Sequence, residues 1–178
     1  RGALRSQVAQ EPRSPAALLD TLNRHLVRDA RDGQFLTLFY GLLDGASRTL
    51  VWASAGHDPA LWLRHASGRF EELPNTGIPL GVRDDARFGQ AGPVLLADGD
   101  VVAIGTDGIW EALGPQGEPF GKDRLRDVIA ENAPRGAARI HDAVIDAVHA
   151  HRQSSPPRDD MAVVVLKALP DADAAPPG

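Results

Sequence analysis

Hydrophobic and polar positions along the chain first predict a helix near its start. Ser14 and Pro15 form a typical helix start, because Ser caps the first turn and Pro favours the first helical position. The apolar residues that follow recur at helical spacing up to about Asp29. They are Leu18, Leu19, Leu22 and Leu26. Residues 3–10 also have helical composition and are expected to end an earlier helix.

Apolar runs rich in β-branched and aromatic residues predict strands in the middle of the chain and at its end. They cover residues 35–43, 49–54, 60–64, 69–73 and 88–96, a run that begins at Val101, and residues 161–166. The turns at 44–48 and 67–68 predict two hairpins. Pro93 limits backbone pairing, so its segment is predicted at a sheet edge.

Two further helices are predicted at residues 123–132 and 137–151, where apolar residues again follow helical spacing. The order of helix, antiparallel strands, two helices and a last strand is typical of an α+β layer fold. We expect one domain over residues 1–169. The remainder, 170–178, is rich in Ala, Asp and Pro and is expected to be a flexible tail.

Composition and charge restrict the possible functions. The 178 residues are 43% hydrophobic and 24% charged, which is ordinary for a globular domain. A net charge of −5 argues against nucleic acid as the main partner. The chain has no cysteine, which excludes disulfides and thiolate metal sites and fits the cytoplasm. No apolar run reaches the roughly 20 residues that span a bilayer, so no membrane segment is expected.

Acidic residues stand at the ends of two predicted strands. Asp107 and Gly108 follow the run that begins at Val101, and Asp159 and Asp160 precede the last strand. An isolated Asp-Gly pair is typical of a turn, but the second acidic pair favours a shared site. Carboxylates without cysteine or paired histidines suit hard cations such as Mg²⁺ or Mn²⁺. Such ions activate water for attack on a phosphoryl group, and no side-chain nucleophile is evident.

Seven short motifs occur in order along the chain. They are FLTLFYGLLD (35–44), ASAGHDP (53–59), GIPLG (77–81), GDVV (99–102), TDGIWEA (106–112), PFG (119–121) and DDMAVVV (159–165). Together they resemble the PPM-type (type 2C) metal-dependent serine/threonine phosphatases, in particular the branch similar to stage II sporulation protein E. This resemblance implies an antiparallel β-sandwich flanked by helices (αββα) with two Mn²⁺ or Mg²⁺ ions at one end.

The resemblance also implies roles for individual residues. Asp107 and Asp159 match metal ligands of the family, and Asp160 occupies the position next to the second ligand. Gly108 would let the backbone approach the site. His57 lies in a motif of the Asn-Ala-Gly-His kind, although Ser54 replaces the usual Asn. Two interpretations of His57 stay open: contact with substrate phosphate at the rim of the site, and a structural hydrogen bond in a tight turn.

One departure from the family concerns an earlier motif, Gly-Asp-x-x-Gly, whose Asp bridges both metals. The chain begins at Arg1, without Met, at a point after this motif. We therefore expect an excised piece of a longer protein that lacks the first strands and the first metal motif. The fragment would keep only part of the carboxylates and would bind two metals weakly or not at all.

The leading hypothesis is a phosphatase domain that hydrolyses phosphoserine or phosphothreonine on a regulatory protein, an anti-sigma-factor antagonist in related systems. An upstream sensor domain is implied by the architecture of the family. The alternative hypothesis is a catalytically silent module of the same fold that binds a partner or acts as a scaffold. A metal-independent β-sandwich binding domain is a third interpretation, but it leaves Asp107 and Asp159 without a role.

Overall fold

The computed structural model describes residues 14–29, 34–153, 155–156 and 159–170. Its helices are α1 (Pro15–Asp29), α2 (Asp107–Trp110), α3 (Lys122–Asn132) and α4 (Ala137–Arg152). Its strands are β1 (Leu38–Asp44), β2 (Thr49–Ala55), β3 (Ala60–Arg64), β4 (Arg69–Leu73), β5 (Ala91–Leu95), β6 (Val101–Gly105) and β7 (Val163–Lys167). These elements fall into two compact units.

The first unit comprises residues 1–57 and 74–96, and its described part contains α1 and an antiparallel sheet in the order β1-β2-β5. The Ser14 hydroxyl accepts a hydrogen bond from the Ala17 backbone N–H at 3.3 Å, which confirms the predicted helix cap. Leucines of α1 and small residues of β2 form one hydrophobic cluster with loop residues. Its buried members are Leu18, Leu19, Leu22, Ala53, Ala55, Leu80 and Phe88.

A buried asparagine fixes the loop that follows residue 74 in this unit. Asn23, on α1, is 1% exposed. Its side-chain amide donates to the carbonyl of Arg83 at 2.7 Å and accepts from the N–H of Gly81 at 2.8 Å. Both backbone groups are thereby satisfied without a strand partner.

In the hairpin between β1 and β2, backbone hydrogen bonds from Ser47 and then Ala46 hold the pKa of Asp44 below its usual value.

The second unit comprises residues 58–73 and 97–178, and its described part contains an antiparallel sheet in the order β4-β3-β6-β7 and the helices α2, α3 and α4. The apolar faces of α3 and α4 pack with β3 and β6 in a single core. Its fully buried members include Val101, Ile109, Ile129, Ile140, Val144 and Val148. This packing follows from the helical spacing of the apolar residues on both helices.

A buried carboxylate connects the strands of this unit. Asp100 is 2% exposed and accepts hydrogen bonds from the Trp62 indole at 3.1 Å and from the His65 backbone at 2.8 Å. It also accepts one from the Ala97 backbone at 3.1 Å, and the Arg64 guanidinium lies 3.5 Å away. Because each carboxylate oxygen has at least one donor, burial of the charge is compensated.

The elements agree with the predicted α+β class and with most predicted boundaries, including α1, both hairpins and the last two helices. Residues 35–37, however, lie outside β1, because Leu36 forms only an isolated bridge with Leu80. The predicted 88–96 strand is shorter and lies at the sheet edge as expected. Its pairing with β2 shifts register beside Pro93, which has no N–H to donate.

Two further boundaries differ near the acidic motifs. The last strand begins at Val163 and not at residue 161, and the Thr-Asp-Gly motif continues into the short helix α2 and not into a simple turn. The earlier helix predicted at residues 3–10 and the tail predicted from residue 170 lie outside the described residues, apart from Pro170. Within the part of the chain that the structure describes, no helix is long and apolar enough to cross a bilayer.

Replacement of Asp100 by Asn tests the role of the buried carboxylate. The amide has only one acceptor oxygen for donors that approach both carboxylate oxygens, so at least one buried N–H loses its partner. We expect the free energy of unfolding to fall by about 1–3 kcal/mol, measured by urea denaturation. The exposed α3 residue Asp127, changed to Asn, is the matched control. An equal effect of the two substitutions would contradict this role.

Candidate metal centre

The site predicted from the two acidic motifs lies where β6 ends and β7 begins. These strands pair antiparallel, with Gly105 opposite Val163. The carboxyl end of one strand is therefore adjacent to the amino end of the other. The Thr-Asp-Gly segment that leaves β6 and the Asp-Asp segment that enters β7 are brought together by this register.

Thr106 connects the two segments beyond the last strand pair. Its backbone N–H donates to the carbonyl of Ala162 at 3.0 Å, and its hydroxyl accepts from the Ala162 N–H at 3.0 Å. The same hydroxyl donates to the carbonyl of Asp160 at 3.2 Å. Thr106 is the N-cap residue of α2, yet its side chain does not cap that helix, since it is engaged by the neighbouring segment.

Gly108 permits close contact of the same two segments. A Cβ atom at this position would lie 2.4 Å from the carbonyl oxygen of Asp160 and 3.0 Å from its carbonyl carbon. Both are backbone atoms, so an alanine here would require the two segments to separate. The requirement for glycine therefore comes from close approach of the Asp160 backbone and involves no unusual backbone angle. The predicted role of Gly108 at the metal site stays a prediction.

The carboxylates beside this contact are exposed. Asp107 Oδ1 accepts from the N–H of Gly108 at 3.0 Å, and Asp159 Oδ1 accepts from the N–H of Asp160 at 2.7 Å. Each hydrogen bond orients its carboxylate and leaves the second oxygen without a donor among the described residues. The Asp160 side chain is exposed as well. Its backbone carbonyl is the atom that contacts Thr106.

The donor chemistry fits a hard divalent cation. The oxygens of Asp107 and Asp159 are the ligand type that Mg²⁺ and Mn²⁺ prefer. Among the described residues, no group of three or more His, Cys, Asp or Glu side chains lies close enough to hold one ion. Mg²⁺ is commonly held by one or two carboxylates and keeps several waters. The described residues therefore fit a hydrated cation and do not form a closed cage of protein ligands.

His57, the predicted substrate-binding residue, belongs to the first unit. Its backbone carbonyl accepts a hydrogen bond from the Ser54 hydroxyl at 3.3 Å, and its ring packs edge-on against Phe39 with centroids 6.4 Å apart. The Ser that replaces the family's usual Asn thus fixes the backbone of this turn. These contacts describe the turn and leave the substrate role of the ring as a prediction.

A cleft of about 270 Å³ lies beside the acidic segments and contains Arg152, which the sequence did not indicate. Its lining includes the metal-site residues Gly108 and Asp159, and also Glu111 and Arg152. Apolar side chains complete the walls, among them Leu113, Pro119 and Met161. Arg152 gave no sequence signal, because a basic residue in the last turn of a helix is common.

Comparison with known proteins places the chain in a family. The sequence profile described as Stage II sporulation protein E (SpoIIE) matches residues 1–169. The chain is 24% identical over 156 residues to "Phosphoserine phosphatase RsbU" of Bacillus subtilis, a match that covers 86% of the chain. The chain spans only 45% of the length of RsbU.

Solved structures show the same fold at low sequence identity. The SiaA-PP2C domain of Pseudomonas aeruginosa is 20% identical, with a TM-score of 0.77, over 93% of the chain and 65% of that domain. The RsbU and RsbW domains of Rv1364c from Mycobacterium tuberculosis are 23% identical, with a TM-score of 0.71, over 94% of the chain and 45% of that structure. The predicted fold class is thus confirmed, and the chain belongs to the stage II sporulation protein E (SpoIIE) family, whose PP2C-type phosphatase fold it shares.

Proposed function

We propose that the chain is a phosphatase domain that hydrolyses phosphoserine or phosphothreonine on a bacterial regulatory protein by means of metal-activated water. The observation that carries this proposal is the contact between the Thr106–Gly108 segment and the Asp160–Ala162 segment, which holds the acidic start of α2 beside the acidic segment before β7. The similarity to RsbU, which is named a phosphoserine phosphatase, supports the same reaction.

Asp107 and Asp159 would hold the cation, and Asp160 is a third candidate ligand. When bound, Mn²⁺ or Mg²⁺ supplies hydroxide near neutral pH and neutralises charge on the phosphoryl oxygens. Gly108 keeps the two acidic segments close, and the hydrogen bonds to Oδ1 of each aspartate fix the direction of the other oxygen. His57 would contact the substrate phosphate. The complete domain is expected to bind two ions.

The proposed substrate is a phosphorylated protein of the anti-sigma-factor antagonist type. Support comes from the similarity to RsbU and from the solved structure that contains an RsbU domain and an RsbW domain of the same protein. A sensor domain before residue 1 is part of the proposal. The acidic balance of the chain, with a net charge of −5, is compatible with a protein substrate and disfavours nucleic acid.

A silent binding module of the same fold is the second candidate. It is favoured by one observation, namely that the described residues contain no group of three or more potential ligands. This candidate predicts that Asp107 and Asp159 can both become Asn without loss of partner binding. It also predicts no phosphate release in the presence of Mn²⁺.

Phosphate release from a phosphoserine peptide in the presence of Mn²⁺ separates the two candidates. The chain is compared with a version extended upstream into the parent protein, and Asp107→Asn and Asp159→Asn are made in both. Each substitution removes a charged ligand, so we expect the rate of the active form to fall about a hundredfold. The exposed α3 substitution Asp127→Asn is the control and should keep full activity. Folded wild-type proteins without Mn²⁺-dependent release would overturn the phosphatase proposal.

Metal binding should also raise the melting temperature. A cation that binds the folded state and relieves repulsion between carboxylates stabilises by mass action, by about 2.7 kcal/mol at a metal concentration of 100 Kd. We expect Mn²⁺ to raise the melting temperature of the wild type and of Asp127→Asn, and to have little effect on Asp107→Asn. Differential scanning fluorimetry with Mn²⁺ from micromolar to millimolar measures this. No shift in the extended wild type would argue against the site.

Gly108→Ala tests the geometry of the site without removal of a carboxylate. The added methyl group must displace the Asp160 backbone, so we expect Mn²⁺ affinity to fall about tenfold, measured by isothermal titration calorimetry. Gly136→Ala is a matched control, because a Cβ at Gly136 meets nothing within 4 Å and the φ angle is −70°. Equal Mn²⁺ affinity in the two variants would show that the close approach at Gly108 does not contribute to metal binding.

A further inference from the structure

We propose that Arg152 is a substrate-binding residue that holds the phosphoryl group of the phosphorylated side chain in the cleft beside Asp159. The inference rests on the proposed function and names a residue for which neither the sequence motifs nor the likeness to known proteins gave a role. Arg152 is the last residue of α4, and it lines the same cleft as Gly108 and Asp159.

The hydrogen bonds of Arg152 are incomplete. A guanidinium carries five N–H donors. One terminal nitrogen of Arg152 donates to the carbonyl of Ser155 at 2.9 Å. The Nε atom is buried, and no acceptor among the described residues lies within hydrogen-bond distance of it. Buried polar groups are nearly always paired in folded proteins, so an unpaired one requires an explanation.

Among the described residues, Arg152 also has no ion-pair partner. It shares the cleft with the carboxylates of Glu111 and Asp159, yet among the described residues it forms no ion pair within 4.0 Å. An arginine that served only to neutralise these carboxylates would be expected to contact one of them. With a divalent cation at the acidic segments, the guanidinium becomes an additional positive charge beside the metal. A phosphate monoester dianion complements that arrangement.

A purely structural role at the helix end accounts for less of the evidence. A basic side chain in the last turn interacts favourably with the helix dipole, and the bond to Ser155 fits that role. Lys167 shows what such a role looks like in the same unit. Its ammonium donates to the carbonyls of Ala133 and Arg135, both at 2.6 Å, beyond the end of α3. Lys167 thus has two acceptors, whereas Arg152 has one acceptor among the described residues for its five donors.

The remaining walls of the cleft favour a phosphorylated side chain over a free anion in water. Leu113, Pro119 and Met161 are apolar and line the same cleft as Arg152. Removal of water from such a space strengthens a charge-assisted hydrogen bond, and the planar guanidinium matches two phosphate oxygens at once. The methylene of a phosphoserine would contact the apolar wall while its phosphoryl group meets Arg152.

Titration of the full chain with O-phosphoserine, in the absence of metal, tests the proposal directly. Binding of O-phosphoserine is measured by the 1H–15N cross-peak of the Arg152 Nε group and by isothermal titration calorimetry. We expect a saturable shift of that cross-peak. Arg152→Met should weaken phosphoserine binding at least about tenfold, and Arg152→Lys should weaken it less, because the charge is kept and the two-point geometry is lost.

Arg139→Met is the matched control, since Arg139 is exposed on the same helix and is not part of the cleft. It should bind phosphoserine like the wild type. Circular dichroism and the melting temperature establish that each variant is folded. If Arg152→Met is folded, melts at a lower temperature and binds phosphoserine as tightly as the wild type, Arg152 is structural and the proposal is overturned. An Nε cross-peak that does not shift at saturating phosphoserine would also overturn the proposal.

Phosphate release by the extended form separates this inference from the phosphatase proposal. If Arg152→Met raises KM for the phosphoserine peptide and changes kcat less, the result supports both the role of Arg152 and the phosphatase proposal. Activity with an unchanged KM supports the phosphatase proposal and rejects the role of Arg152. Binding of O-phosphoserine that depends on Arg152, without Mn²⁺-dependent release by the wild type, supports the anion site and rejects the phosphatase proposal.

Discussion

The contact of Thr106 with the segment that enters β7 is the constraint on which the candidate site depends. Two strands that pair antiparallel would ordinarily separate where their ladder ends, and their loops would be held only by local turns. Here the Thr106 backbone and hydroxyl together make three hydrogen bonds to Asp160 and Ala162 beyond the last paired residues. The absence of a Cβ at Gly108 lets the same backbones come closer still. Asp107, the first residue of α2, and Asp159, in the segment before β7, are therefore both held beside the end of the sheet.

The buried polar groups that hold loops and the polar groups around the cleft differ in how completely their hydrogen bonds are paired. Asn23 in the first unit and Asp100 in the second are buried, and their hydrogen bonds satisfy backbone groups that have no strand partner. Such groups hold loops in one conformation, because an unpaired buried polar atom is unfavourable. Around the cleft, some polar atoms have no hydrogen-bond partner among the described residues. Asp107 and Asp159 each keep an oxygen without a donor among the described residues, and Arg152 keeps a buried Nε without an acceptor there.

This difference has a physical reason. Groups that stabilise the fold gain most when every donor and acceptor is paired within the protein. A side chain that binds a cation or an anion must keep some of its donor or acceptor atoms available to that ligand. The rest of the structure must hold this side chain in place. The rigid core of the second unit, with Ile109 of α2 and Val148 of α4 both fully buried, supplies that support. The cleft residues on α2 and α4, Gly108 and Arg152, thus belong to helices that are packed into this core.

The sequence by itself determined most of the elements, the fold class and the acidic residues of the candidate site, because these depend on local periodicity and on motifs of adjacent residues. The spacing of Leu18, Leu19, Leu22 and Leu26 was enough to define α1. Tertiary structure alone decided the contacts of Thr106 and Arg152. Threonine before a helix predicts a cap, but the partner of its hydroxyl is 54 and 56 residues away in sequence. The Nε of Arg152, which has no acceptor among the described residues, likewise follows from which residues surround it in space, and periodicity carries no information about such contacts.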